Sequence, residues 1–110
     1  MILDREDNVT IVLQENISLN AFIANFKKIY PEIEKDHIIL NLFSFSKLSA
    51  DDVLEFLEFS DLHKKSNKSF VLVTDKVSFD QVPDRICVVP TIQEAKDIIE
   101  MEEIERDLEL

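Results

Sequence analysis

The sequence predicts a single α/β domain built on a mixed, mostly parallel β-sheet. Short β-branched runs alternate with segments of helical periodicity, which is typical of parallel strands connected by helices. The central runs are apolar throughout, as in strands covered on both faces. The first two runs are too close in sequence for a crossover helix, so we expect one antiparallel pair at the sheet edge. The predicted order in this chain of 110 residues is β-β-α-β-α-β-(short connector)-β-α.

The first half of the chain supplies three strands and one helix. Val9–Leu13 is a strand, and a shorter strand, Ile2–Leu3, precedes it across a polar stretch. Ser18 caps the helix, and Pro31 is expected to stop it. Residues 37–43 are continuously apolar apart from His37 and Asn41, which predicts a buried strand. The core face of the helix comprises Leu19, Phe22, Ile23, Phe26 and Ile29.

The second half supplies two helices and two strands. Ser49 marks the start of a helix that should run to about Lys65, with an apolar face made by Val53, Leu54, Phe56, Leu57, Phe59 and Leu62. Residues 69–74 and 86–89 are buried strands, joined by a connector that holds a turn or two of helix at most. A capping box at Thr91–Glu94 opens the last helix. Its predicted core residues are Ile92, Ala95, Ile98, Ile99 and Met101.

The composition excludes several classes of site and partner. The chain has no glycine, which excludes the P-loop, the G-x-G-x-x-G dinucleotide turn, the G-x-S-x-G nucleophile elbow and the standard EF-hand loop. A net charge of −11 repels phosphate backbones and anionic lipids, so we expect neither nucleic acid nor membrane as a direct partner. One cysteine excludes an internal disulfide, and the first residues do not resemble a signal peptide. We therefore expect a cytoplasmic location.

Few residues could carry chemistry, and each has a structural interpretation. His63 lies beside two lysines near a helix end, where positive charge complements the helix dipole, and His37 is expected at the surface. Cys87 lies in an apolar strand and is interpreted as a small hydrophobe. Neighbouring acids on a helix point about 100° apart, so the pairs at 51–52 and 102–103 are interpreted as solvated. The sequence predicts no catalytic residue, no metal and no cofactor.

Two segments and the order of the elements resemble a known family. The segments are the strand Ile38–Leu42 and the helix start Thr91–Ala95. They resemble parts of the STAS domain, the fold of anti-sigma factor antagonists and of the cytoplasmic tails of sulfate transporters. In that family a loop of the type Asp-Ser-Ser-Gly opens the second helix, and a kinase phosphorylates a serine there to break partner binding.

This resemblance implies a STAS-like domain whose phosphorylation switch has degenerated. The family's loop falls on residues 49–52, which lack the glycine and place Ala50 or Asp51 at the phosphorylated position. A permanent carboxylate cannot be switched on and off. Ser49 is the only hydroxyl close by, and we interpret it as a helix cap. Together with Asp51 and Asp52 it is a candidate interaction residue.

The end of the chain has a second resemblance. Val88–Thr91, followed by the acidic segment 100–108, is similar to small bacterial proteins that carry a ribonuclease Z label. Ribonuclease Z enzymes hold two metal ions with a His-x-His-x-Asp-His motif, whereas this chain has only His37 and His63, far apart in sequence. The resemblance therefore implies association with such an enzyme rather than nuclease activity.

The acidic end of the chain carries the remaining signal. Residues 92–110 hold eight acids and two bases, which is −6 of the net charge of −11. Ile104 and Leu108 stand four residues apart within this charged segment. Two alternatives stay open: a last helix that overruns the core, or a docking helix for a basic groove on a partner. We divide the chain into a STAS-like domain, residues 1–99, and an acidic helical tail, residues 100–110.

Three functional hypotheses follow from these observations. The favoured one is a non-enzymatic regulatory module of STAS type in a bacterial cytoplasm, which binds another protein with a basic surface. The alternative is an accessory protein of an RNA-processing enzyme such as ribonuclease Z. The third is an enzyme with an unfamiliar site, for which the sequence offers no convergent set of side chains. Self-association is an intermediate case, in which two tails or two apolar stripes pair despite their like charge to form a homodimer.

Overall fold

The β-branched runs of the sequence form one mixed β-sheet in the computed structural model, which describes residues 1–108. The strands are β1 (Ile2–Glu6), β2 (Val9–Leu13), β3 (His37–Asn41), β4 (Phe70–Val73) and β5 (Cys87–Val89). The helices are α1 (Leu19–Ile33), α2 (Ala50–Leu54), α3 (Leu57–Lys65) and α4 (Ile92–Leu108), and one 3₁₀ turn lies at Phe79–Gln81. The spatial order of the strands equals their order along the chain. β1 is antiparallel to β2 and all other pairs are parallel, which confirms the predicted fold class.

The first strand is longer than predicted. It extends to Glu6 because the hairpin register pairs Ile2 with Leu13 and Glu6 with Val9, so backbone hydrogen bonds continue past its apolar residues. The hairpin turns at Asp7, whose φ of 53° lies in the left-handed region that aspartate tolerates.

The two faces of the sheet are covered unequally. Helices α1, α2 and α3 cover one face with a large core that contains Phe22, Phe26, Phe56, Ile38, Leu40 and Leu72. α4 covers the other face, where Ala95 and Ile99 pack with Ile39, Val71 and Val73. Alternate residues of β2 to β5 face the two cores, as the pleat requires, whereas β1 is exposed along its whole length.

Helix α1 does not stop before Pro31, so that prediction was wrong. Proline has no backbone N–H, so the helix loses one hydrogen bond at this position. Pro31 lies in the last turn, however, and the helix ends only two residues later. Continuing the helix to Ile33 buries both Tyr30 and Ile33 in the larger core. This burial offsets the lost hydrogen bond.

The second predicted helix is broken into α2 and α3. Phe56 leaves the helical conformation with φ −94° and ψ 0°, and its ring is completely buried beside that of Phe22. The break redirects the chain, and α3 then buries Ser60 and His63. Leu62, predicted in the core, is instead 53% exposed. Leu54 is also exposed.

The connector before β5 holds only the 3₁₀ turn, as its length predicts. Thr91 begins the last helix by accepting a hydrogen bond from the backbone N–H of Glu94 (3.1 Å). Among residues 1–108, no helix combines the length and the apolar character that a membrane crossing requires.

Candidate functional site

Helix α4 changes character halfway along its length. In its first half, Ala95 and Ile99 face the sheet and are buried, as in an ordinary amphipathic helix. In its second half, charged side chains face the sheet and apolar side chains face solvent. The helix is continuous through this change, so residues 100–108 extend the domain's last helix. Residues 109 and 110 of the predicted acidic tail lie outside the described residues.

The inner side of the second half is held by polar contacts to the amino-terminal ends of three strands. The Ser69 hydroxyl donates to Glu102 and accepts from Arg106 Nη2 (3.1 Å). Glu103 Oε1 accepts from His37 Nε2 (3.0 Å) and from Asn8 Nδ2 (3.4 Å). We call this set the polar clamp, and it comprises Asn8, His37, Ser69, Glu102, Glu103 and Arg106. These contacts fix which side of the helix faces outward.

His37 is buried within the clamp, so the prediction of a surface residue was wrong. Its Nδ1 accepts the backbone N–H of Ser69 (2.9 Å), and its Nε2–H therefore donates to Glu103. Only 3% of the residue is exposed. Burial lowers the pKa of His37 below 6.5, although the Glu103 carboxylate opposes this shift. A neutral ring satisfies all of these contacts.

His63 is also buried, so the prediction of a surface charge at a helix end was wrong for it. Its Nε2 lies 2.7 Å from the backbone oxygen of Asp36, which can only accept, so this nitrogen carries the proton. Its Nδ1 then accepts from the hydroxyl of Tyr30 (2.7 Å). Burial lowers the pKa of His63 and raises the pKa of Tyr30. This pair belongs to the core beneath α3.

The outer side of the second half is an apolar stripe formed by Met101, Ile104 and Leu108. Their exposed fractions are 60%, 54% and 81%. Met101 was predicted to face the core and instead joins Ile104 and Leu108. The spacing of three and then four residues, which the sequence contains, could have shown that all three share one side of a helix. The carboxylates of Glu100, Glu105 and Asp107 belong to the same half-helix and make it acidic.

The predicted interaction residues Ser49, Asp51 and Asp52 lie at the start of α2 and are not part of the polar clamp or the stripe. Ser49 caps α2, accepting from the Asp52 N–H (3.2 Å), while Asp52 accepts from the Ser49 N–H (3.0 Å). This capping box confirms the interpretation of Ser49 as a cap and shows that Asp52 belongs to it. Asp51 is exposed. Since α2 follows the carboxyl end of β3, whereas the clamp contacts its amino end, the structure does not bring Ser49, Asp51 and Asp52 together with the stripe.

The remaining features offer little chemistry. Cys87 is half-buried, and desolvation raises the pKa of its thiol, so the reactive thiolate is disfavoured. A partly apolar cavity of about 440 Å³ lies at the carboxyl ends of β4 and β5, lined in part by Val77, Phe79 and Pro90. Within residues 1–108, no three His, Cys, Asp or Glu side chains are placed to hold a metal ion.

A comparison of the chain with protein-family models and with curated proteins returned no match. The resemblances to the STAS domain and to ribonuclease Z-labelled proteins therefore stay predictions.

Proposed function

We propose that this protein is a non-enzymatic regulatory module of STAS type in a bacterial cytoplasm, and that it binds a partner protein through the apolar stripe of α4. One observation carries the proposal: α4 turns charged residues towards its own sheet and Met101, Ile104 and Leu108 towards solvent. The polar clamp accounts for the charged inner side, but the domain itself gains nothing from apolar side chains that are left in solvent. Apolar side chains grouped on an exposed face are typical of a binding surface.

The energetics favour a partner on this face. Full burial of a Met, Ile or Leu side chain is worth about 1.5–3 kcal/mol. Three such side chains together supply several kcal/mol towards the cost of association. The polar clamp holds the helix in place beforehand, so little further ordering of α4 is needed on binding.

The charge of the face indicates the character of the partner. Carboxylates of Glu100, Glu105 and Asp107 flank the stripe, so a basic surface is complementary to it. Long-range attraction to such a surface speeds encounter and weakens as salt screens the charges. Nucleic acid is disfavoured because its phosphates carry the same sign of charge.

The non-enzymatic part of the proposal is supported by the roles of the histidines and the cysteine. Both ring nitrogens of His37 and of His63 already have hydrogen-bond partners within the protein. The Cys87 thiol is disfavoured as a thiolate. The side chains best suited to acid–base or nucleophilic chemistry therefore have structural roles.

The STAS assignment is supported by the order of the elements and by the place of Ser49 at the start of the second helical segment. The capping box already engages the hydroxyl of Ser49, and Asp51 and Asp52 would repel an added phosphate. We therefore propose that this protein binds its partner without the family's phosphorylation switch.

Paired variants test the proposal. Ile104→Gln removes an apolar contact from the stripe, and Leu62→Gln removes an equally exposed leucine from α3, since the two residues are 54% and 53% exposed. Wild type and the two variants are each immobilised, and the proteins that they retain from a cytoplasmic extract of the native cells are identified by mass spectrometry. The affinity of each candidate partner for the three proteins is then measured with purified material. We expect one partner to bind wild type and Leu62→Gln equally but Ile104→Gln at least about tenfold more weakly, a loss of about 1.4 kcal/mol. Equal affinity for all three proteins would refute the proposed face. A ribonuclease Z as that partner would establish the alternative function.

A further inference from the structure

We propose that the partner presents an amphipathic α-helix with lysine or arginine beside its apolar residues, and that this helix packs along α4 as in a short coiled coil. This inference rests on the proposed function. It goes further by naming the type of structural element that contacts the stripe and by excluding a second copy of this chain.

The spacing of the stripe is that of a coiled-coil seam. Met101, Ile104 and Leu108 follow one another at three and four residues, which corresponds to heptad positions a, d and a. A surface that binds an extended loop would not need apolar residues at this heptad spacing. Side chains with this spacing interdigitate with those of a second helix that crosses at a shallow angle.

The other heptad positions agree with this assignment. In a free coiled coil, positions b, c and f face solvent. Here they are Glu102, Glu103 and Arg106, the three α4 residues of the polar clamp. The domain therefore occupies the side of the helix that a coiled-coil partner leaves free. The seam is left open for a second helix.

The flanking charges specify the partner. Positions e and g, which set the choice of partner in coiled coils, are Glu105, Glu100 and Asp107, and all three are acidic. A second copy of the same helix would place carboxylates opposite carboxylates, so self-pairing is repelled. A helix with lysine or arginine at these positions forms ion pairs instead.

The seam is too short to form a stable coiled coil without the rest of the domain. The seam spans residues 101–108, about 10 Å at the helical rise. Asp97 and Glu94 occupy the preceding d and a positions and end the seam there. An isolated helix of this length is marginal in water. The clamp and the buried residues Ala95 and Ile99 supply the order that a short coiled coil cannot supply itself.

The test uses three synthetic peptides of about three heptads each. The first has Ile at a, Leu at d and Lys at e and g. The second has the same composition in an order that leaves no apolar face, and the third has Glu in place of Lys. Binding to the full chain is measured by fluorescence anisotropy of labelled peptide at low and at physiological salt. We expect the first peptide to bind at least about tenfold more tightly than either of the others.

Variants of the protein locate the binding site of the peptide. Ile104→Gln should weaken the first peptide about tenfold or more, and Leu62→Gln should leave it unchanged. Glu105→Lys should weaken the first peptide and improve the third, because it reverses a flanking charge. Equal binding of the first two peptides would refute the inference, since it would show attraction by charge alone. A concentration-dependent dimer that Ile104→Gln abolishes would refute it as well.

The two proposals fail in distinguishable ways. If a native partner loses affinity for Ile104→Gln but the peptides are not discriminated, the partner uses a different element and only this inference fails. If neither the native partner nor any peptide responds to Ile104→Gln, the proposed function fails too.

Discussion

The orientation of α4 makes a specific prediction about stability. Ile104→Gln should cost little, although it removes an apolar side chain from a helix. Full burial of isoleucine is worth about 1.5–3 kcal/mol, and with Ile104 54% exposed less than half of this is at stake. Glutamine also has a slightly higher helix propensity than isoleucine. We expect a loss of about 0.7–1.4 kcal/mol in the free energy of unfolding.

A substitution in the buried part of the same helix should cost more. Ile99→Gln places an amide at a position that is 2% exposed, and we expect a loss of at least about 2 kcal/mol. Glu103→Ala leaves the buried Nε2–H of His37 without its acceptor. An unsatisfied buried donor costs about 1–3 kcal/mol, and the lower end applies because Glu103 itself is 42% exposed and water can enter.

Urea unfolding followed by far-ultraviolet circular dichroism measures these differences, with equal m-values as the check that the variants unfold in the same way. Ile99→Gln should destabilise the protein most, and Glu103→Ala and Ile104→Gln should each cost about 1 kcal/mol. If Ile104→Gln cost about 2 kcal/mol or more, as a buried position such as Ile99 would, the stripe would pack on its own domain. Both proposals built on its exposure would then be refuted.

Three further predictions concern other parts of the molecule. Burial lowers the pKa of His37 and of His63 below 6.5, so as the pH falls the unfolded chain binds protons before the folded protein does. The urea midpoint should therefore fall as the pH drops below about 6.5, and a midpoint that rises there would contradict this. Tyr30→Phe leaves His63 Nδ1 without its donor and should cost about 1–3 kcal/mol in the same assay; no loss would contradict the hydrogen bond. Ser49→Ala should cost about 1 kcal/mol by losing the cap while partner affinity is unchanged; a change in affinity at unchanged stability would restore Ser49 as a switch residue.

The sequence was a good guide wherever local chemistry decides the structure. Strands β3 and β4 are mainly apolar runs, and a run of this kind predicts a strand that is covered on both faces. The caps at Ser18, Ser49 and Thr91 are also local, because each hydroxyl accepts from an N–H three residues later. Both kinds of feature can be predicted from residues that are adjacent or nearly adjacent in sequence.

The predictions that were wrong concern residues whose positions are set by contacts with residues distant in sequence. His37 and His63 resemble surface residues because each adjoins a charged residue, Asp36 and Lys64 respectively. Their partners Glu103 and Tyr30 are remote in sequence, so no local pattern announces the contacts. The break at Phe56 is of the same kind, since the position of its ring is set by Phe22 in another helix. Met101 lies on the outer side because the inner side of α4 becomes polar after Ile99, a change that the spacing of the preceding core residues does not predict.

The chain-ordered sheet has a consequence for the kinetics of folding. Each strand pairs with the strand that adjoins it along the chain, so the sheet assembles through short-range loop closures, which favours rapid folding. The contact between Asn8 and Glu103 instead joins residues 95 positions apart. We therefore expect the end of α4 to dock after the rate-limiting step, so that Glu103→Ala accelerates unfolding in stopped-flow experiments while the refolding rate changes little.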